Sequence, residues 1–303
     1  MKKYFTLCFA LLLFSINSIA KQQEEIQNPI KTVTGNVILH EDFASDYVDN
    51  RTVEVWLPEN YSETDSSYQV LYMHDGQNIF NPETSYNGND WMVDEVLTDL
   101  IKNGSVPGTI VVGLWNTGAT RFAEYMPQKP AEVMNSEEVK QGVIQYGGKP
   151  IFSDDYLKFL VEEVKPFIDS EYRTKTEREY TSIMGSSMGG LISLYAIIEY
   201  PEVFGAAGCV STHWPVQQIG EAFIGFVKDN LPDPATHKIY FDFGTLGLDS
   251  QYEPHQNTVD GFMKDAGYEE GKNWITKKFE GHDHKEQYWA MRVHEPLTFI
   301  LNK

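Results

Sequence analysis

A chain of 303 residues with 44 Asp and Glu against 24 Lys and Arg carries a formal charge of −20. That balance disfavours nucleic acid and anionic membrane surfaces as partners, while the length suits one large α/β domain whose core needs no covalent staples. Only Cys8 and Cys209 are present, too few for a disulfide-built scaffold.

The chain opens on Lys2 and Lys3, an apolar run from Tyr4 to Ile16, and Ser18-Ile19-Ala20. A short basic segment, an apolar stretch too short to span a bilayer and a small-residue site predict a secretory signal peptide over residues 1–20. Cleavage after Ala20 leaves residues 21–303 as a single exported domain, periplasmic or secreted, with no membrane attachment. It also leaves Cys209 alone in the run Gly205 to Val210, where a buried, inert thiol is expected.

Apolar runs then alternate with helical patterns, as in a mostly parallel sheet covered on both faces. About Thr32 to His40 and Thr52 to Leu57 alternate in polarity and predict antiparallel strands at the start of the sheet. Gln69 to Met73 and Thr109 to Leu114 read as buried strands on either side of a helix over Trp91 to Lys102. From Trp115 to Pro150 no period holds, and residues 116–150 are expected to form a lid-like insertion that shapes a substrate pocket. Asp155 to Ile168 predicts a helix, and Thr181 to Met184 a strand. Met188 to Tyr200, apolar nearly all round, predicts a buried helix stopped by Pro201. Gly205 to Val210, Ile239 to Phe243 and Trp274 to Thr276 complete the strands. The fold class is α/β, a central, mostly parallel twisted sheet with helices on both faces.

At the junction of the Thr181 strand and the Met188 helix stands Gly185-Ser186-Ser187-Met188-Gly189-Gly190. Gly-x-Ser-x-Gly fits one register only, with Ser187 at its centre; Ser186 would need glycine at Met184 and Met188. The glycines allow a sharp strand-to-helix turn that holds the serine in strained dihedrals, the arrangement of a nucleophile elbow. A serine hydroxyl needs a base and an orienting acid, which follow it in the order acid, then histidine. The loop after the last strand offers His282 and His284, and position alone does not separate them. The loop after Ile239 to Phe243 offers Asp249 first and Glu253 second; Asp242, within the strand, suits a structural role. Two backbone N–H donors are needed for a tetrahedral intermediate. Met188 is one, and Gln77, after the Gly76 turn in His74-Asp75-Gly76-Gln77-Asn78, is the other. No metal site is indicated, since His282 and His284 form a bare pair without further ligands, and no cofactor is expected.

These motifs resemble the esterase D-like putative esterase family of the α/β-hydrolase superfamily. The resemblance rests on His74 to Asn78, on Arg121-x-x-Glu124-Tyr125-x-Pro127, on Gly185 to Gly190 and on His284-x-Glu286-x-x-Trp289, and spans residue 50 onward. It implies a serine carboxylic-ester hydrolase working through an acyl-enzyme. Family members carry Trp five residues after the catalytic histidine and often an acid two residues after it, which selects His284 over His282. The family's acid lies in the Gly-Thr loop, in support of Asp249, and its oxyanion donor follows Asp-Gly, in support of Gln77. Arg121, Trp214 and Trp289 are candidate substrate contacts, with bracing of the insertion as the alternative for Arg121. The expected partner is a small-molecule or oligosaccharide ester. The family includes feruloyl, acetylxylan and siderophore esterases and acyltransferases; the His-Asp-Gly-Gln-Asn form resembles the carbohydrate-linked esterases more than the siderophore esterases.

Overall fold

A computed structural model of the chain describes residues 33–132 and 148–302, together with residues 137 and 141. The expected signal peptide and much of the expected insertion lie outside the described residues. The described strands are β1 (Asn36–Phe43), β2 (Arg51–Leu57), β3 (Gln69–His74), β4 (Thr109–Leu114), β5 (Thr181–Ser186), β6 (Ala206–Val210), β7 (Lys238–Gly244) and β8 (Trp274–Phe279). They form one sheet in the order β1-β2-β4-β3-β5-β6-β7-β8. β1 and β2 pair antiparallel, and so do β2 and β4, whereas every pairing from β4 to β8 is parallel.

The parallel strands are near-continuous apolar runs because both of their faces are covered. Alternate residues divide between the two layers. Val70 and Tyr72 of β3 join one apolar core with Ile183 of β5 and Phe241 of β7. That core is closed by helices α4 (Ser153–Lys158), α5 (Lys165–Glu171), α6 (Met188–Glu199), α7 (Gln217–Asn230) and α8 (Glu253–Asp265). Leu71, Met73 and Met184 face the other core, which is closed by α1 (Val93–Lys102), α9 (Glu286–Arg292) and α10 (His294–Leu301). In α6 every residue from Met188 to Ile198 is buried, which explains a helix without a polar stripe.

The helix expected over Asp155 to Ile168 runs as α4, a π-helical turn Phe159–Val164 and α5. Pro166 stands in the first turn of α5 and has no N–H to return to the preceding turn, so the ladder is re-spaced just ahead of it. The aperiodic stretch after Trp115 begins as packed structure. Two short helices, α2 (Arg121–Tyr125) and α3 (Gln128–Glu132), sink Ala123, Glu124, Tyr125 and Met126 into the body of the molecule. Arg51 of β2 forks onto Glu124 at 2.9 and 2.7 Å, a buried pair that fixes α2 to the sheet.

Strand order reverses about β3: the chain first steps outward to β4, then crosses back to β5 on the other side. Crevices at the carboxyl ends of strands open at such reversals. The loops after β3 and β5, which carry the candidate oxyanion donors and Ser187, lie at this one.

Candidate active site

Ser187 sits between β5 and α6 with φ 58° and ψ −118°, a conformation costly for a residue with a side chain. Backbone bonds hold it there: its N–H donates to Val210 O at 2.9 Å, and its carbonyl accepts the N–H of Gly190 at 3.0 Å and those of Leu191 and His213 at 3.2 Å each. The two glycines of the motif are not equivalent. A methyl on Gly185 would lie 2.9 Å from the Gly189 backbone, whereas one on Gly189 would meet its nearest neighbour, His74 Cβ, at an ordinary 3.5 Å. The steric demand therefore falls on Gly185. Met188 begins α6, where the first N–H groups have no partner within the helix.

The loop after β3 is shaped by Asp75, which adopts a left-handed conformation at φ 58°. Arg121 grips its carboxylate with Nε and a terminal nitrogen, each at 2.7 Å, and Asn116 Nδ2 adds a third donor at 2.7 Å. Burial alone would raise the Asp75 pKa, but the Arg121 charge and these bonds outweigh it and hold the carboxyl below its ordinary range. Gly76 follows, and a side chain there would strike the Gly113 carbonyl carbon at 2.7 Å. Gln77 then lies in the single 3-10 turn Gly76–Asn78, its Oε1 accepting the Asn116 N–H at 3.2 Å. Arg121 thus braces the candidate oxyanion loop, and its guanidinium also lies 5.0 Å from the Tyr125 ring centre. His74 is buried between Tyr125 and Tyr156, and burial drives its pKa down to about 3, so it stays neutral.

The loops after β7 and β8 bring the candidate acid and base together. His284 Nδ1 lies 2.5 Å from Asp249 Oδ1, with the carboxylate fully buried and the imidazole 14% exposed. Asp249 Oδ2 accepts from Ser211 Oγ at 2.7 Å and from the Gly244 N–H at 2.6 Å. Burial works to raise the Asp249 pKa, yet the bond and charge of His284, with those two donors, keep it below the ordinary value. Glu253 instead pairs with Lys278 at 3.1 Å near the surface. His282 turns its ring toward Phe279 and Tyr288, while its carbonyl accepts the N–H groups of Thr245 and Leu246 at 2.9 Å each. It fastens the two loops together.

A serine on a strained elbow, backbone donors beside it and a buried carboxylate–histidine pair on neighbouring loops are the parts of an acyl-transfer site. The family model described as "Putative esterase" matches residues 45–295. The chain belongs to this esterase family. Carboxylic-ester hydrolysis is the activity that membership carries. Relatives include the Bacillus subtilis (strain 168) protein YbbA, 23% identical over 261 residues, which are 84% of this chain and 94% of YbbA. The ferri-bacillibactin esterase BesA of the same strain is 24% identical over 194 residues, 60% of this chain and 62% of BesA. A solved structure of a ferulic acid esterase superposes with TM-score 0.66 at 18% identity, covering 88% of this chain and 98% of its own, and shares the α/β-hydrolase fold.

The esterase holds site residues that its motifs do not announce. Ser211 Oγ accepts from Trp289 Nε1 at 3.0 Å and from Arg292 at 2.7 Å. Both are donors only, so the Ser211 hydroxyl must give its own proton to Asp249. Arg292, itself buried, also bonds both oxygens of Asp242 at 3.1 and 3.2 Å, which makes Asp242 structural. His213 Nδ1 lies 2.8 Å from Tyr252 OH, whose oxygen is also 3.4 Å from His284 Nδ1. Burial, then the nearby His284 and Arg121 charges, push the His213 pKa down to about 4. Ser211 and His213 follow β6 at the same sheet edge as the elbow, a placement that could have flagged them.

Trp214 and Trp289, expected to meet substrate, are turned inward at 1% and 5% exposure. Trp214 donates to Gln256 at 2.9 Å, and the Trp289 ring stands 5.0 Å from His284, edge to face. Each indole N–H finds a buried acceptor, which lets the whole ring leave the surface; Trp289 acts as a wall behind the imidazole. A cleft of about 800 Å³ lies at the opposite, N-terminal ends of β6 and β7, beside Gly205 and Lys238, away from this constellation.

Proposed function

We propose that this esterase is an exported serine hydrolase in which Ser187 is the nucleophile, His284 the base and Asp249 the acid. The observation that carries the reading is a serine held at φ 58° on the same strand ends as a histidine whose Nδ1 lies 2.5 Å from a buried carboxylate. Asp249 accepts a hydrogen bond from the Nδ1–H and so holds the tautomer with Nε2 unprotonated, free to take the Ser187 proton as Oγ attacks the ester carbonyl. The N–H groups of Met188 and Gln77 receive the oxyanion. On collapse His284 returns the proton to the departing alcohol, leaving an acyl-Ser187; water activated by His284 then releases the acid.

For the substrate we propose a carbohydrate-linked or similar small ester. The ferulic acid esterase likeness, which extends over nearly all of that protein, and the His74 to Asn78 motif support it. A siderophore ester is the second reading, favoured by the BesA relationship. Kinetics on feruloylated sugars, acetylated xylan and a catecholate siderophore ester decide between them. A kcat/KM at least about tenfold higher for the siderophore ester, a difference of about 1.4 kcal/mol in transition-state binding, would overturn the carbohydrate assignment. Loss of p-nitrophenyl acetate turnover in Ser187→Ala is expected whichever ester is natural.

A further inference from the structure

Behind the candidate oxyanion loop lies a second set of charged groups that the esterase chemistry does not use. Asp90, Asp94 and Glu95 each offer a carboxylate oxygen, and these oxygens lie within 4.8 Å of one another. Asp94 is fully buried. Its Oδ2 accepts the Thr34 N–H at 2.7 Å, but its Oδ1 is buried with no hydrogen-bond partner, and Glu95 Oε2 is in the same position. Thr98 Oγ1, one helical turn beyond Asp94, is also buried without a partner. Glu54 of β2, itself buried, adds a fourth carboxyl close enough to feel the Asp94 charge, and its Oε1 is likewise buried without a partner. Among the described residues, no ion pair involves any of these four acids.

Adjacent buried carboxylates cannot both stay ionised without a counter-charge. Either they share a proton or they hold a cation. The N-terminus of α1 eases the repulsion, but a helix end contributes far less than each buried, unpaired ion costs. The donor set favours the cation. It consists wholly of oxygens, several of them anionic, which select hard divalent ions. A calcium–oxygen shell is about 4.6–5.2 Å across, twice the bond length, and accommodates the observed spread; magnesium, at about 2.0–2.1 Å, demands a tighter octahedron.

We propose that Asp90, Asp94 and Glu95 form a binding site for a calcium-sized divalent cation, with the Thr98 hydroxyl and water as further ligands. Its role is structural. The Trp91 N–H donates to Asn78 O at 2.9 Å and the Val93 N–H to Ile79 O at 3.2 Å, so the segment carrying the ligands is tied to the end of the oxyanion loop. The Trp91 ring packs 5.4 Å from Trp289, the wall behind His284. A cation here would pin the floor shared by the oxyanion loop and the base, and through Thr34 it would also fasten the chain just before β1. The site stands independently of which ester the enzyme cleaves.

The test uses the full chain stripped with EDTA. Tb³⁺ is added and its luminescence, sensitised by the neighbouring Trp91, is followed, then displaced with Ca²⁺; melting is recorded with Ca²⁺ and with Mg²⁺. The expected result is saturable luminescence displaced by Ca²⁺ with a dissociation constant of about 10⁻⁴–10⁻³ M, the range of extracellular calcium modules. Ca²⁺ at tenfold that concentration should raise Tm by about 3–6 °C, and Mg²⁺ by less. Both effects should be lost in Asp90→Asn and in Glu95→Gln, partly exposed positions whose variants are checked for fold by circular dichroism. The proposal is overturned if the folded wild type shows no saturable binding up to about 10 mM Ca²⁺, ten times the weak end of that range. It is equally overturned if Ca²⁺ fails to displace Tb³⁺, or if binding persists in both variants.

Discussion

Replacing Ser211 with alanine isolates the hydroxyl that links the candidate acid to the buried core. Alanine keeps the Cβ at the same φ of 41°, so backbone strain is unchanged and only the oxygen is lost. Asp249 Oδ2 then retains the Gly244 N–H at 2.6 Å but loses its 2.7 Å donor, and Arg292 retains Asp242. The Trp289 N–H has no such reserve and is left buried without its 3.0 Å acceptor. One orphaned buried donor costs about 1–3 kcal/mol, and with the lost charge-assisted bond the expected destabilisation is about 2–3 kcal/mol. At about 2–4 °C per kcal/mol for a domain somewhat smaller than this one, Tm should fall by about 4–12 °C. Because Asp249 and the Trp289 wall together orient His284, kcat should drop about ten- to a hundredfold. Calorimetry and steady-state turnover of p-nitrophenyl acetate measure both, and Ser211→Gly, which relieves the positive φ, should melt somewhat higher than Ser211→Ala. A Tm within a degree of wild type, with full activity, would refute this role for the Ser211 hydroxyl.

Three further outcomes follow from the same geometry. His284→Ala should cut kcat by about 10³-fold or more, whereas His282→Ala, which leaves the backbone carbonyl clamp in place, should keep activity within about tenfold on the same scale; turnover of the two variants checks this. Arg121→Ala removes two of the donors that hold Asp75 left-handed, so kcat should fall about a hundredfold, in the range of a lost oxyanion donor, with KM little changed in the same assay. The depressed pKa of His213 makes the unfolded chain the better proton binder between about pH 4 and 6.5. Stability should therefore fall as pH drops through that window, by up to about 3 kcal/mol. Urea unfolding at stepped pH should show a shallower slope in His213→Gln, with the part due to His74 remaining.

The strands, the buried helix α6 and the elbow were legible because each writes a local signal: continuous apolar runs, an apolar helix without a stripe, and glycines in a single register. What escaped depends on contacts distant in sequence. Ser211 meets Trp289 and Arg292 across 78 and 81 residues, and no periodicity marks such a meeting. Asp249 and Glu253 stand four residues apart with the same charge; burial, which depends on how the β7 and β8 loops close over each other, separates them. The two tryptophans point the same way. Both are candidate substrate contacts in the sequence, but each indole finds a buried acceptor: Trp289 stands behind His284, and Trp214 packs against Phe223 and Phe241. The short helices after Trp115 were hidden because α2 is held by the buried Arg51–Glu124 pair and by Arg121 on Asp75, rather than by an apolar stripe.

Ser187, and no neighbouring hydroxyl, is proposed to carry the acyl group. Folded wild-type protein is to be treated with a fluorophosphonate and digested for mass spectrometry. One adduct per chain is expected, on Ser187, with labelling slowed at least about a hundredfold in His284→Ala. An adduct on Ser186, or none on the folded protein, would contradict the account.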